Sequence, residues 1–301
     1  MTTYAVTGAT GHLGRLVVEE LLSRGVPAAD VVAIARTPEK AADLAERGVQ
    51  VREGDYDRPD TLPSALDGVQ RLLLVSGSEP GVRVPQHTAV IDAAKAAGVR
   101  RIAYTSILNA DDTTNPLAGE HQATEQVLRA SGLAVTLLRN GWYTENYTDR
   151  IAEYLERGEI VGAAADGKVS AAPRADFAGA AAGALLADDA AEDAADDGTG
   201  TPDGAAPVVV HELGGPAFTF AELASTISDV TGTPVAYRDL SVEAYAAELQ
   251  QVGLDAGTAG FVAGIDAAIA AGDLETDSDA LVRLLGRPAT PLADAVRAAR
   301  G

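Results

Sequence analysis

Short apolar runs alternate with helix-like stretches over roughly the first 140 residues of the chain. The apolar runs have the length and composition of buried strands, and they lie at residues 4–8, 31–35, 49–53, 71–76, 101–106 and 134–139. Between them, stretches such as RLVVEELLSRG and HTAVIDAAKAAGV carry apolar residues at i, i+3, i+4 and i+7, which indicates amphipathic helices. This order predicts an α/β fold with a Rossmann-like, doubly wound parallel sheet that helices cover on both faces.

The hydrophobic pattern changes in the second half of the chain. Residues 158–172 are typical of a β-hairpin that turns at Asp166-Gly167. An alanine-rich helix is expected from Arg174 to Ala187, and residues 207–213 return to a strand pattern. The remainder is mostly helical in pattern, so the second half differs from the alternating strands and helices of the first.

Composition and charge exclude several classes of function. The 301 residues include no cysteine, which excludes disulfides, thiol catalysis and thiolate zinc sites and suits the cytoplasm. A net charge of −21 would repel nucleic acid, and no stretch approaches the roughly 20 apolar residues of a membrane span.

Residues 188–206 are acidic and rich in small residues. We expect them to form a solvated loop, with an interaction site as the alternative.

A glycine-rich turn follows the first strand and opens a helix. Glycines at this place allow a tight turn and let backbone N–H groups approach a pyrophosphate at the helix N-terminus. A structural turn without a nucleotide is the alternative, but the position directly after an N-terminal strand favours a dinucleotide site. The predicted contacts are Gly8, Ala9, Thr10, Gly11, His12 and Leu13, and the GxxGxxG spacing ends at Gly14.

The ends of two further predicted strands indicate which nicotinamide cofactor is used. An acidic residue after the second strand would bind the ribose of NAD, whereas Arg36 stands there and suits the 2′-phosphate of NADP. Ser76, Gly77 and Ser78 follow the fourth strand, and small side chains let a cofactor lie against the backbone. The alternatives are that Arg36 is a solvated arginine at the start of a loop and that residues 76–78 are an ordinary exit from a strand. We therefore predict NADPH as the cofactor.

The catalytic pair of a typical short-chain dehydrogenase is absent from the sequence. Such enzymes place Tyr-x-x-x-Lys on the helix after the fifth strand, and no tyrosine here has a lysine four residues later. His121 and Glu125 stand in that helix instead, four residues apart. One interpretation gives His121 a role in the pocket, where Glu125 would keep its imidazole charged. The alternative is that both residues lie on a solvated helix face, since the same spacing is common there. We expect Glu125 in particular to face solvent. The other histidines lie on separate elements, so no metal site is expected.

Several motifs together resemble the NmrA-like atypical short-chain dehydrogenases, and within that family the type 2 NAD(P)H:quinone oxidoreductases. The matching stretches run through nearly the whole chain, with residues 188–206 as an insertion. TLLRNGWYTENY is the most specific of them, since neither composition nor periodicity requires Trp, Tyr and Asn side by side after a strand. The other stretches are VTGATGHLG, VVAIAR, LLLVSGSE, VPQHTAVIDAAKAAGV, IAYTSIL, EHQATE and IVGAAADGKVSAAPRADFA.

The resemblance implies a flavin-independent enzyme that passes a hydride from NADPH to a small quinone. The change of hydrophobic pattern along the chain adds the expected division: an NADP(H)-binding Rossmann domain at residues 1–150 and a smaller, mostly helical substrate region at 151–301, some of whose strands could join the main sheet. The resemblance places Asn146 beside the nicotinamide and the quinone. His121 is a further catalytic candidate because of its place in the helix after the fifth strand. The resemblance also implies further cofactor contacts at Gly141, Trp142, Tyr143, Thr144, Glu145, Asn146, Arg174 and Phe177.

Other interpretations of the sequence remain open. Trp142 and Tyr143 suit core packing as well as contact with a flat ring, and Asn146 suits a helix N-cap. A protein that senses NADP(H) without turnover is the main alternative function, because some NmrA-like proteins bind dinucleotide and a protein partner. A reductase or epimerase of another carbonyl compound is less favoured, since the proton donor is missing. We expect a monomer or a homodimer.

Overall fold

One parallel sheet organises the part of the chain that contains the predicted strands. The computed structural model describes residues 2–79, 81–188 and 206–300. Within these ranges, seven strands form the sheet in the order β3-β2-β1-β4-β5-β6-β9, each pair parallel. The strands are β1 (Tyr4–Val6), β2 (Val31–Ala35), β3 (Gln50–Glu53), β4 (Arg71–Leu74), β5 (Arg101–Ile107), β6 (Ala134–Asn140) and β9 (Val208–Leu213).

Helices pack on both faces of this sheet, which confirms the predicted doubly wound α/β class. One face buries Val18, Leu21 and Phe177 in an apolar core, and the other buries Ile91 and Leu128. The helices of the first face are α1 (His12–Ser23), α8 (Arg174–Leu186) and α12 (Ala280–Leu285). Those of the second face are α3 (Leu62–Ala65), α4 (Arg83–Ala96) and α5 (Ala118–Ala130); α2 is Ala42–Glu46. Short 3-10 turns lie at Ala28–Asp30, Pro38–Ala41 and Pro59–Thr61.

A third apolar core belongs to the later part of the chain. Tyr147, Ile151, Phe220 and Ile269 are buried together there. The helices are α6 (Glu145–Thr148), α7 (Ile151–Arg157), α9 (Phe220–Thr231), α10 (Val242–Gln251), α11 (Ala256–Ala270) and α13 (Leu292–Ala298). The short strands are β7 (Glu159–Gly162), β8 (Lys168–Val169), β10 (Phe218–Thr219) and β11 (Ala236–Asp239).

The predicted hairpin over residues 158–172 is wrong. Strand β7 pairs in parallel with β11, and β8 pairs antiparallel with β10, so the two strands do not pair with each other. After β7 the backbone bonds to distant side chains instead. The Ala163 N–H donates to Asp266 Oδ2 at 2.8 Å, and the Ala164 N–H donates to the Tyr237 hydroxyl at 3.0 Å. These long-range acceptors replace the ladder that a local hairpin would have formed.

Other predictions from the pattern can be compared with the described residues. The helix expected at 174–187 is present as α8, and the strand expected at 207–213 is β9, which pairs with β6 at the edge of the main sheet. Residues 189–205 of the predicted acidic loop lie outside the described residues. In the ranges that the structure describes, no helix is long and apolar enough to cross a membrane.

Candidate functional site

A cleft of about 710 Å³ opens where the carboxyl ends of the sheet strands meet. The strand order reverses between β1 and β4, and ligands of open α/β sheets bind at such a switch point. Residues that follow β1, β2 and β4, and residues at the ends of β5 and β6, line the cleft. The topology therefore brings the separate sequence motifs to one place.

The glycine loop after β1 has the shape of a phosphate cradle. Gly8 adopts a φ of +60°, which favours glycine, and a Cβ on Gly14 would lie 2.4 Å from the Gly8 carbonyl oxygen. Helix α1 begins directly after Gly11, with no side-chain cap and no acidic residue in its first turn. Since a helix N-terminus attracts anions, this loop fits the pyrophosphate of a dinucleotide.

Most of the residues predicted from the sequence lie in the cleft lining. They come from the glycine loop, from the ends of the strands and from helix α5, so they are brought together from across the chain. They are Gly8, Thr10, Gly11, His12, Leu13, Arg36, Ser76, Gly77, Ser78, His121, Gly141, Trp142, Tyr143, Asn146 and Arg174.

Four predicted cofactor contacts do not line the cleft: Ala9, Thr144, Glu145 and Phe177. Ala9 and Phe177 are buried in the core behind the wall, where Phe177 packs edge-to-face on Tyr143 with ring centroids 5.5 Å apart. Thr144 is buried as well and donates its N–H to a backbone carbonyl. The Glu145 carboxylate accepts the N–H of the first residue of α8 at 2.9 Å. These side chains support the cleft wall from behind.

Cations lie at the end of the cleft that follows β2. Arg36 and Lys40 both line it, and the Arg36 guanidinium lies 3.6 Å from a Glu79 carboxylate oxygen. Both of these side chains are more than half exposed, so this ion pair is weak. A phosphate could therefore displace Glu79 from Arg36 with little loss of free energy, because the ion pair that it breaks is weak.

Asn146 is held in one orientation beside the cleft. Arg174 lies over the Tyr143 ring, 4.6 Å from its centroid, and donates from Nη2 to Asn146 Oδ1 at 3.4 Å. With its oxygen facing a cation, the Asn146 amide turns its N–H donors elsewhere. The alternative of a helix cap is wrong, because Thr144 is the residue before α6 and Asn146 lies inside that helix.

His121 is a buried, neutral imidazole at the cleft wall. Burial lowers its pKa to about 3, assisted by the positive charge of Arg83. Its Nδ1 lies 2.8 Å from the Tyr104 hydroxyl. The expectation that Glu125 keeps this imidazole charged is wrong, since Glu125 bonds to other partners. A neutral imidazole is a poor acid, so His121 offers a hydrogen bond to a ligand and not a ready proton.

Glu125 is buried, which corrects the expectation that it faces solvent. Its carboxylate lies 2.6 Å from Arg139 Nη2 and accepts a 2.5 Å hydrogen bond from the Ser106 hydroxyl. Arg139 also contacts Asp111 at 2.7 Å and Glu212 at 3.0 Å. Because Ser106 lines the cleft, this buried ion-pair network supports the wall of the site.

Sequence reasoning missed several residues of the lining. Thr105 and Ser106 lie near the carboxyl end of β5, and Asp55 and Asp57 follow β3, so the rule that ligands bind at carboxyl ends of strands could have found them. Arg83 and Gln86 lie on α4, and Asn140 is the last residue of β6. Gln86 stands in the stretch VPQHTAVIDAAKAAGV, which matches the family, whereas Arg83 lies outside the matching stretches. Across the described ranges, no group of acidic residues and histidines could hold a metal ion.

Comparisons with known proteins agree with this geometry. A family model described as NAD(P)H-binding matches residues 8–188. Quinone oxidoreductase 2 of Escherichia coli K12 is 46% identical over 293 residues, which cover 97% of this chain and 96% of that protein. An NmrA-like family domain-containing oxidoreductase of Aspergillus flavus is 29% identical over 312 aligned positions, covering 98% and 94%.

A solved structure gives the same result for the fold. The crystal structure of an NADPH-dependent quinone oxidoreductase from Escherichia coli, complexed with NADPH, matches with a TM-score of 0.88 and 45% identity. The match covers 99% of this chain and 100% of that one. The resemblance found in the motifs is thus confirmed over nearly the full length. The chain belongs to the NAD(P)H-binding NmrA-like family.

Proposed function

We propose that this protein is an NADPH-dependent, flavin-independent reductase of small quinones. The observation that carries the proposal is the Asn146 amide, which Arg174 orients at the wall of a cleft that also contains the glycine loop. The full-length similarity to a quinone oxidoreductase supports the same reaction. The main alternative, a dinucleotide sensor without turnover, does not account for an oriented amide donor in the cleft.

The cleft residues suit this reaction because a quinone already accepts hydride readily. When bound, NADPH supplies a hydride that turns the quinone into a hydroquinone anion, which then takes a proton from solvent. The protein therefore has to align the two rings and stabilise a negative oxygen, and it needs no strong acid. The Asn146 N–H donors serve that oxygen. Trp142 and Tyr143 line the same wall and offer apolar surface to a flat ring.

The glycine loop and the cations around Arg36 are the proposed cofactor contacts. Backbone N–H groups at the start of α1 would hold the pyrophosphate, and Arg36 with Lys40 would hold the 2′-phosphate. Ser76, Gly77 and Ser78 would lie along the adenosine and ribose. Each of these roles is a proposal for the residues that the structure brings to the cleft.

The decisive experiment measures NADPH oxidation by the purified protein with and without a small benzoquinone. We expect quinone-dependent oxidation well above the uncatalysed rate, with no flavin added. Tight NADPH binding without quinone-dependent oxidation would contradict the enzyme and favour the sensor. The acidic loop and the oligomeric state do not enter this measurement, since it uses the full chain.

Cofactor choice can be tested separately at Arg36. Arg36→Glu should raise the Kd of NADPH about 10- to 100-fold, because a charged hydrogen bond to phosphate is worth roughly 1.5–3 kcal/mol. The Kd of NADH should change by less than about threefold, since NADH lacks the 2′-phosphate. Fluorescence titration of both cofactors measures the difference.

The matched control for Arg36 is another exposed arginine that does not line the cleft. Arg297 on α13 is about as exposed and does not line the cleft, so Arg297→Glu changes the net charge equally without touching the site. It should leave both dissociation constants unchanged. Equal losses for NADPH and NADH in Arg36→Glu would show that Arg36 does not meet the 2′-phosphate.

A further inference from the structure

A buried chain of hydrogen bonds runs behind the cleft wall from α4 to α5. The Gly77 N–H donates to His87 Nε2 at 3.0 Å. The other ring nitrogen of His87 lies 3.1 Å from the Thr124 hydroxyl, and that hydroxyl donates to the Glu120 carbonyl at 2.9 Å. Burial lowers the pKa of His87 to about 3, so this imidazole is neutral and carries one hydrogen. It accepts at Nε2 and therefore donates from Nδ1. Thr124 is thereby supplied with both a donor and an acceptor.

Tyr104 lies between the two histidines of this buried cluster. Its ring packs edge-on against His87, with centroids 5.3 Å apart, and its hydroxyl lies 2.8 Å from His121 Nδ1. The other polar group beside the phenol is the Thr124 hydroxyl, which already accepts from His87 and donates to the Glu120 carbonyl. A phenol is a better donor than acceptor, and an imidazole nitrogen is a strong acceptor. The hydroxyl hydrogen therefore points to His121 Nδ1.

The second nitrogen of His121 is left to the cleft. His121 lines the cleft, and within the described ranges no protein group bonds to its Nε2. A neutral imidazole that accepts at Nδ1 carries its hydrogen at Nε2. The side chain thus presents a fixed, uncharged N–H donor to the cleft that Asn146 also lines.

We propose that Tyr104 is a positioning residue that holds His121 as the Nε2–H tautomer, so that this neutral imidazole donates a hydrogen bond to a quinone oxygen. The inference rests on the proposed quinone reduction. It makes His121 a second donor beside Asn146 and not an acid. A neutral donor stabilises the developing hydroquinone anion without giving up a proton in the hydride step.

This role predicts how the reaction depends on pH. His121 has a pKa near 3 and is neutral at every pH where the protein would be assayed, so it adds no inflection to kcat/KM between about pH 5 and 8. A residue acting as an acid would lose activity as it deprotonates in that range. The charged or titratable groups around it are Arg83 and His87 on α4, Tyr104 on β5, and Glu120 and Glu125 on its own helix.

Nuclear magnetic resonance of protein labelled with ¹⁵N-histidine reads the tautomer directly. The His121 signals, assigned by their loss in His121→Gln, should show a protonated Nε2 and an unprotonated Nδ1. Tyr104→Phe keeps the ring but removes the hydroxyl, so the tautomers should mix and kcat/KM for benzoquinone should fall about three- to tenfold. Tyr154→Phe removes a hydroxyl from a buried ring of the third core and should change neither reading.

Two substitutions of His121 separate a neutral donor from an acid. The Nε2–H group of glutamine can take the place of the imidazole donor, so His121→Gln should keep kcat/KM within about tenfold of the wild type. His121→Phe has no donor and should lose about 100-fold, the cost of one oxyanion donor. An equal loss in both variants, or an Nδ1–H tautomer in the wild type, would overturn the donor role. If the wild type reduces no quinone at all, both the proposed function and the donor role of His121 are overturned.

Discussion

Replacing Arg139 with methionine is expected to lower the free energy of unfolding by about 3–5 kcal/mol, the cost typical of leaving a buried charge unpaired. Arg139 is almost fully buried and donates to both oxygens of the equally buried Glu125, at 3.0 and 2.6 Å. It also contacts Glu212 at 3.0 Å. Methionine fills similar space without the charge. The loss of stability measured by urea denaturation therefore gives the cost of leaving the carboxylates of Glu125 and Glu212 without their cation.

Arg129 provides a matched control on helix α5. It approaches the same carboxylate, with Nη2 3.8 Å from Glu125 Oε2, but its side chain is 39% exposed. Arg129→Met should therefore cost less than about 1 kcal/mol. Adding Glu125→Leu to Arg139→Met should restore about half of the loss, because the stranded charge is then removed. If Arg139→Met costs no more than Arg129→Met, the buried network contributes little to stability.

The sheet and the glycine loop could be predicted because their signals are local. Each strand is a continuous apolar run, since a parallel strand is buried on both faces, and β2 matches residues 31–35 residue for residue. The turn at Gly8 needs a backbone conformation that glycine favours, and Gly14 is required by a contact within the same motif. A few neighbouring residues determine such features.

Glu125 and the region 158–172 could not be predicted because their partners are distant in sequence. The spacing from His121 to Glu125 shows only that both lie on one side of a helix. Which groups meet them is decided by β5 and β6, from which Tyr104 contacts the histidine and Arg139 the carboxylate. In the same way, the partner of β7 is β11, more than seventy residues later. No local pattern encodes those pairings.

The candidate site shows the same division between local and distant information. The site residues at the ends of strands could be predicted from the sequence, and Asn146 was predicted from the specific stretch TLLRNGWYTENY. The orientation of its amide depends on Arg174, which is 28 residues away on α8. Phe177, which the resemblance predicts as a cofactor contact, packs edge-to-face on Tyr143 and does not line the cleft. Sequence therefore identified most of the lining, and only the fold decided which atoms face the cleft.

Replacing Asn146 with alanine is expected to lower kcat for benzoquinone about 100- to 1000-fold, the effect of removing one donor to a developing oxyanion. Arg174 holds Oδ1, so the amide N–H groups are the part of the side chain free to serve the substrate oxygen. The Kd of NADPH should change little, because the proposed phosphate contacts are the glycine loop and Arg36, not Asn146. Stopped-flow measurement of the hydride step and fluorescence titration of NADPH separate the two quantities.

Asn146→Asp distinguishes the lost donor from a lost packing contact. The carboxylate has nearly the shape of the amide, and both of its oxygens only accept, while its charge is favourable beside Arg174. If the N–H donor is what matters, the aspartate variant should be as slow as the alanine variant while remaining as stable as the wild type. If it retains the wild-type kcat, Asn146 acts by shape alone. A parallel loss of NADPH affinity in both variants would instead assign Asn146 to cofactor binding, because hydride transfer would then be slowed by misplacement of the nicotinamide.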